Sequence, residues 1–295
     1  MASWNVTSDD LESIAIGAGI LGTGGGGNPY LGKIWMQGLL QRGYSAQVID
    51  LDDLDDLADD ALIAVVSGMG APTVGIEKLP NGAESKLALE ALEAYIGRPV
   101  DALICAEIGG SNSIVPLVAG ALTGKPVVDA DGMGRAFPEM QMSTHSIAGL
   151  PITPAVMVDE KGNKIIFGSL TDSFALEKFA RDLCILMGCR STLALALMTG
   201  AQAKPTSVWR TLSLTKRVGD AVRHARQVKS SYVDAVLKIT GGTELFSGKL
   251  IDVQRRTVGG FARGDLVAEG VDQYSGDFLH IAFQNENLVA WRGNR

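Results

Sequence analysis

Four glycine-bearing turns hold the residues of this 295-residue chain whose types and spacing could do chemistry. The richest is Val128-Asp129-Ala130-Asp131-Gly132-Met133-Gly134-Arg135-Ala136-Phe137-Pro138-Glu139. Asp129 and Asp131 alternate, so both carboxylates point to one side if the segment is extended. Arg135 and Glu139 follow within reach. Such a set offers a general base, a charge partner to tune it and a guanidinium for a carboxylate-bearing substrate. Two acids held close also split their pKa values. The competing reading is a structural Asp–Arg ion-pair turn. In the second turn, Glu107-Ile108-Gly109-Gly110-Ser111-Asn112, an apolar run ends on a carboxylate beside two glycines, which calls for a partner. Ser111 and Asn112 read first as helix caps, with Asn112 also able to hydrogen-bond a ligand.

The third turn, Gly22-Thr23-Gly24-Gly25-Gly26-Gly27-Asn28-Pro29, precedes a helix start. Each ordered glycine costs about 0.5–1 kcal/mol relative to alanine, which is tolerated where backbone must approach something closely. The N–H groups of Gly24, Gly25, Gly26 and Gly27, with Asn28, could bind an anion or a carbonyl oxygen; a linker or a tight helix–helix turn is the plain alternative. The fourth, Ser67-Gly68-Met69-Gly70-Ala71-Pro72, directly follows an apolar run. Ligands in open α/β sheets bind beyond the carboxyl ends of strands, so Ser67 and Met69 join Gly109, Gly110 and Asn112 as candidate substrate contacts. Arg217 and Gly241-Gly242-Thr243-Glu244 are further contributors that read better as structural.

The elements that must position these turns follow from hydrophobic periodicity. Ser8–Glu12 opens a helix, with Asp9 and Glu12 at capping-box spacing, that ends at Gly22. A second helix runs from Pro29 to about Arg42. Apolar runs at 46–51, 62–67, 102–106 and 126–129 suit buried parallel strands. Helices are expected over 84–96 and 111–122, and a hairpin over 155–168 around Lys161-Gly162-Asn163. Strands alternating with helices imply an α/β domain, layered and mostly parallel, over residues 1–168. Residues 169–295 read as a helical connection (171–187 and 215–228) that could pack back on the first domain. A smaller, mostly β C-terminal domain follows, with short β-like runs from about Asp234.

Composition narrows the function classes. Net charge is −7, and the nearest candidate for a basic patch, Lys216-Arg217 with Arg223, His224 and Arg226, reads as the solvated face of a helix, so nucleic acid is not an expected partner. No stretch of about 18 uncharged apolar residues predicts a membrane span, and Met1–Asn5 lacks the features of a signal peptide. Three cysteines, Cys105, Cys184 and Cys189, suit neither a disulfide framework nor a zinc knuckle and read as reduced thiols of a cytoplasmic protein. Three scattered histidines argue against a His-based metal site. The acids at 129–139 could bind magnesium or calcium, but their spacing matches no standard loop, so no metal ligand is assigned and no cofactor is predicted. Gly17-Ala18-Gly19-Ile20-Leu21-Gly22 spells the dinucleotide fingerprint, yet a helix rather than a strand precedes it. Asp50, the tempting ribose ligand, lies too far downstream and begins an acidic run, 50–60, that reads as a solvated connection.

Taken together, residues 19–30, Ser67–Pro72, Glu107–Asn112 and Asp129–Glu139 resemble the S-methyl thiohydantoin desulfurase family, over nearly the whole chain. The resemblance implies an α/β N-terminal part, a mostly β C-terminal part and a hydrolase acting on a five-membered cyclic ureide-like ring, in the neighbourhood of hydantoin- and oxoproline-processing enzymes. Members run longer, which implies that the C-terminal β domain is shorter here or that the chain is truncated. The expected reaction is attack of water on the ring carbon between two nitrogens, expelling methanethiol and leaving a hydantoin. Chemical reasoning then makes Asp129 or Asp131 the base and Glu107 its partner or the acid. The N–H groups of 24–27 and 109–110 become an oxyanion hole, and Arg135 holds a substrate carboxylate or orients an aspartate. The alternative is a non-catalytic partner or ligand-sensing subunit of a hydantoinase-type system. The expected partner is a small cyclic substrate, and a homo-oligomer is the default at this size.

Overall fold

A computed structural model describes residues 3–56 and 60–293. In chain order it contains strand β1 (Trp4–Asn5), helices α1 (Ser8–Leu21) and α2 (Pro29–Gln41), and strands β2 (Gln47–Ile49) and β3 (Leu62–Gly70). Helices α3 (Val74–Glu77) and α4 (Glu84–Ile96), strand β4 (Ala102–Cys105), helix α5 (Val115–Thr123) and strand β5 (Val127–Asp131) follow. Next come helix α6 (Thr144–Ile147), strands β6 (Ala155–Val158) and β7 (Lys164–Phe167), helix α7 (Ser173–Leu186) and strand β8 (Arg190–Thr199). Helix α8 (Gly200–Thr206), strand β9 (Val208–Trp209) and helices α9 (Thr211–Gln227) and α10 (Tyr232–Thr240) lead to four final strands. These are β10 (Gly248–Val258), β11 (Phe261–Gly270), β12 (Phe278–Gln284) and β13 (Glu286–Gly293).

The first sheet has the order β1-β2-β5-β4-β3-β8-β6-β7, with β9 beside β5. The four apolar runs form its parallel centre, β2-β5-β4-β3, and the other pairings are antiparallel. One core includes Leu11 and Ile14 of α1 and Leu117 and Val118 of α5, against Val66 and Leu103 of the sheet. The other joins Leu176, Ala180 and Cys184 of α7 to Val65, Leu193 and Leu195. The smaller antiparallel sheet β10-β11-β12-β13 forms the C-terminal domain. The connection after residue 169 therefore does more than cover the first domain, because β8 is a strand of its sheet.

Local corrections have local causes. The first helix is capped by Thr7 with Asp10, not by Asp9 with Glu12: Thr7 is extended (φ −101°, ψ 167°), and Asp10 accepts its N–H at 2.9 Å. The Ser67–Gly70 turn is instead the end of β3, because β8 supplies a ladder partner for it. The helix expected from Ser111 is split: a 3-10 turn over Gly110–Ser113 comes first, and neither Ser111 nor Asn112 caps α5. Helix α9 begins at Thr211, earlier than 215. Residues 232–240 are helical rather than β-like, with Ser231 accepting the Asp234 N–H at 3.1 Å. In the acidic run Asp50 is buried and paired with Arg210 at 3.0 Å, 51–56 form a 3-10 turn, and 57–59 lie outside the described residues.

The fingerprint-like glycines serve helix packing. Gly17 lies inside α1, where a Cβ would fall 1.9 Å from the Thr215 carbonyl oxygen; a Cβ on Gly219 of α9 would fall 1.8 Å from that of Ser13. The two helices thus touch backbone to backbone. The basic residues of α9 partly serve the same contact, with Arg223 on Asp9 at 2.6 Å and Lys216 on Asp10 at 3.4 Å. Among the described residues no helix is long and apolar enough to cross a membrane.

Candidate functional site

A cavity of about 190 Å³ opens at the carboxyl ends of β3 and β4, where the glycine turns converge. Its lining includes Gly26, Gly27, Asn28, Ser67, Met69, Glu107, Asn112 and Glu139, and from the C-terminal domain Asn285 and Glu286. Glu107 stands just past β4, 6% exposed, its Oε1 accepting from Asn112 Nδ2 at 2.7 Å and its Oε2 from the Phe137 N–H at 2.9 Å. Asn112 is fixed in turn by Gly68, whose N–H it accepts at 2.9 Å and whose carbonyl it reaches at 3.2 Å. Burial pushes the Glu107 carboxyl above the usual carboxylate range; its two donors and Arg135 oppose that, and nearby Asp131 adds to it.

Glu286 is the residue that sequence reasoning missed. It begins β13, 2% exposed, and its Oε1 accepts the Gly26 N–H at 3.1 Å while its Oε2 has no hydrogen-bond partner among the described residues. Burial raises its carboxyl well above the ordinary range, and the charge of Glu107 raises it further. Two carboxyls thus share one buried site with opposite support: Glu107 receives two donors, Glu286 one. The second donor, which favours the charged form, makes Glu107 the more readily ionised of the two carboxyls, and their protons are lost as those of a coupled pair. No local signal could have marked Glu286, because a glutamate between β12 and β13 looks like any hairpin residue. Asn285, held at φ +59°, makes the tight turn that aims it. Asn285 also bonds Gly70 O at 3.3 Å, and the Asn287 N–H bonds Thr23 O at 2.7 Å, which docks the hairpin onto the first domain.

Docking explains the glycine run. A Cβ on Gly25 would fall 1.7 Å from Glu286 Oε1, and one on Gly26 2.3 Å from the Gly109 carbonyl oxygen. One on Gly110 would fall 2.3 Å from the Gly26 carbonyl carbon. The turns are packed on each other and on Glu286. The oxyanion hole expected from them is largely occupied: the Gly25 N–H bonds Gly22 O at 2.8 Å, Gly26 serves Glu286, and Gly109 bonds Ser113 Oγ at 2.7 Å. Gly24 and Gly25 are not among the lining residues, and neither are Gly109 and Gly110.

The two aspartates expected to supply the base do not line the cavity. Both lie in β5; Asp129 uses both carboxylate oxygens in structure and Asp131 uses Oδ2, while Asp131 Oδ1 is buried without a hydrogen-bond partner among the described residues. Asp129 caps α9, accepting the Ser213 N–H at 2.9 Å and the Ser213 hydroxyl. Asp131 Oδ2 accepts the N–H groups of Ile108 (2.7 Å), Gly134 (2.8 Å) and Met133 (3.1 Å), tying together the turns that present Glu107 and Arg135. Burial nonetheless pushes Asp131 up to about 6. Arg135 lies behind the lining, its Nη2 on the Asn287 carbonyl at 2.9 Å and its guanidinium 4.4 Å from the Phe137 ring centre. Its charge bears on both Glu107 and Glu286. Glu139 does line the cavity, bonded to Gln284 Nε2 at 2.7 Å and to Gln141. Asn28 lines it while capping α2, and Ser67 and Met69 face it from β3.

The lining also includes His145 and the Glu177–Arg181 ion pair (2.8 Å). Burial lowers His145 to about 4, so it is neutral, with Nε2 3.0 Å from Ser207 Oγ. Among the described residues no group of three or more His, Cys, Asp or Glu could hold a metal ion. Cys105 is a core thiol of β4, raised well above its usual range by burial. Arg217 and the 241–244 turn are exposed.

Fold and site together define a two-domain α/β protein in which a C-terminal β hairpin adds one carboxyl to a cavity that already holds another. The chain belongs to the S-Me-THD-like family, whose N-terminal domain matches residues 9–169 and whose C-terminal domain matches 171–295. It is similar to a protein from Chromobacterium violaceum solved by X-ray crystallography, at 27% identity and a TM-score of 0.74, covering 98% of this chain and 77% of that one. No curated protein matched the chain.

Proposed function

We propose that the chain is a hydrolase of a five-membered cyclic ureide-type ring, removing methanethiol from an S-methyl thiohydantoin to leave a hydantoin. The observation that carries the reading is the buried Glu107–Glu286 pair, Glu107 held by two donors and Glu286 by one, lining a cavity in a thiohydantoin-related family. Glu107 takes a proton from water as its oxygen bonds to the ring carbon between the nitrogens and the C=N electron pair moves onto the ring nitrogen. That pair re-forms the C=N bond as the carbon–sulfur bond breaks and Glu286 gives its proton to the leaving sulfur, releasing methanethiol; shift of the new hydroxyl proton to the ring nitrogen gives the hydantoin. Transfer of one proton from Glu107 to Glu286 restores the starting state. Asn112 and the Phe137 N–H hold the base, as Asn285 and Gly26 hold the acid.

The test is release of thiol from an S-methyl thiohydantoin by the purified chain, followed with a thiol reagent. Glu107→Gln is expected to lower kcat at least 10³-fold and Glu286→Gln about 10²–10⁴-fold, both with normal circular dichroism. Turnover unaffected by either change overturns the assignment. Tight ring binding without turnover would make the chain a ligand-sensing subunit instead.

A further inference from the structure

We infer that two copies of this chain pair antiparallel along β10, joining their C-terminal sheets into one of eight strands. All eleven residues of β10 are exposed, and among the described residues no strand pairs with its outer edge; Thr73 Oγ1 lies 3.2 Å from Thr257 Oγ1, outside the 252–256 segment. A long bare edge is an invitation to pair, and charged side chains ordinarily keep copies apart there. Here the charges are self-complementary. A two-fold axis through Gln254 sets residue 252 of each copy opposite residue 256 of the other. That places Asp252 against Arg256 twice, on the same sheet face.

Neighbouring positions fit the same register. Val253, 48% exposed, comes to lie against the stem of Arg255 from the second copy. The Arg255 guanidinium itself is drawn toward Phe283, 5.6 Å from the ring centre, which keeps the two arginines apart. The bulge of β10, between Leu250 and Asp252, lies outside the 252–256 segment. Val253, Leu266, Ile281 and Ala290 align across the four strands, and in this register their row meets the row of Arg255, Gly264 and Phe283 of the second copy. The opposite edge has no such match. The first residue of β13 is held in the cavity, and a two-fold axis through Ala290 would oppose Leu288 to Arg292.

Light scattering and sedimentation of the full chain test this, with circular dichroism as the check on folding. The wild type is expected to be a dimer at micromolar concentration. Asp252→Arg and Arg256→Asp should each raise the dimer Kd at least tenfold. Mixing the two variants should restore a heterodimer, and the double exchange should restore the homodimer. Those rescues keep the test decisive if one single variant folds poorly. A monomeric wild type overturns the proposal, as does a dimer indifferent to charge reversal. A dimer lost on Val253→Glu but not on charge reversal places the contact on the sheet face, which also overturns edge pairing.

Discussion

Burial keeps the two carboxyls of the candidate site, Glu107 and Glu286, from ionising as they would in water. In the unfolded chain each ionises in the ordinary glutamate range, near about 4.3. A raised pKa in the folded state means that the native protein holds protons the unfolded chain has released. The stability tied to those protons is therefore full below the unfolded value and declines as pH rises toward neutrality. Glu286→Gln keeps the shape and removes the titration. The variant is expected to lose several degrees less in Tm than the wild type between pH 5 and pH 8, since each pKa unit is worth about 1.4 kcal/mol. Thermal unfolding at the two pH values measures it; parallel slopes would refute the account. Glu107 itself was readable in the sequence, because a carboxylate that closes an apolar run beside two glycines calls for a partner. Asp129 and Asp131 carried an equally good local signal and turned out to serve the backbone. Sequence spacing reports that acids sit side by side, not which N–H groups reach them first.

At the scale of elements, the glycine turns separate fit from chemistry. Gly25→Ala should leave the backbone unstrained but drive the Glu286 carboxyl from its place, since the added Cβ meets Oε1, Cδ and Cγ at 1.7–2.7 Å. The expected outcome is a folded protein with thiol release down at least tenfold. Gly26→Ala differs, because at φ +68° its Cβ would press on the Gly109 carbonyl. It should cost about 3 kcal/mol in denaturant unfolding. Asp129→Ala uncaps α9 and should cost about 1–2 kcal/mol with little change in kcat once folded, which checks its placement as structural. Most of these elements were legible: the four parallel strands, the 84–96 helix and the 155–168 hairpin follow from periodicity and turn residues. The end of β3 and the helix at 232–240 were not. The first needs β8, which lies far along the chain; the second was obscured by β-branched residues that suit a strand equally well.

At the scale of the molecule, the site exists only because the hairpin of the C-terminal domain reaches the first domain. Arg135 is one of the ties, bonding the Asn287 carbonyl while its charge lowers both carboxyl pKa values. Arg135→Met should therefore raise the pKa of the base and move the ascending limb of the kcat/KM–pH profile to higher pH by about one unit. An unmoved limb would show that Arg135 only holds the hairpin. The sequence by itself determined the α/β class, the small β domain, the glycine turns at strand ends, the failure of the dinucleotide fingerprint and the family resemblance. All of these depend on periodicity, capping and motif chemistry within a few residues. Only the tertiary structure decided which acids meet. Glu107 and Glu286 are brought together by sheet order and by a hairpin docking onto glycines that leave room for it, and burial at that junction lifts both carboxyls above the ordinary glutamate range.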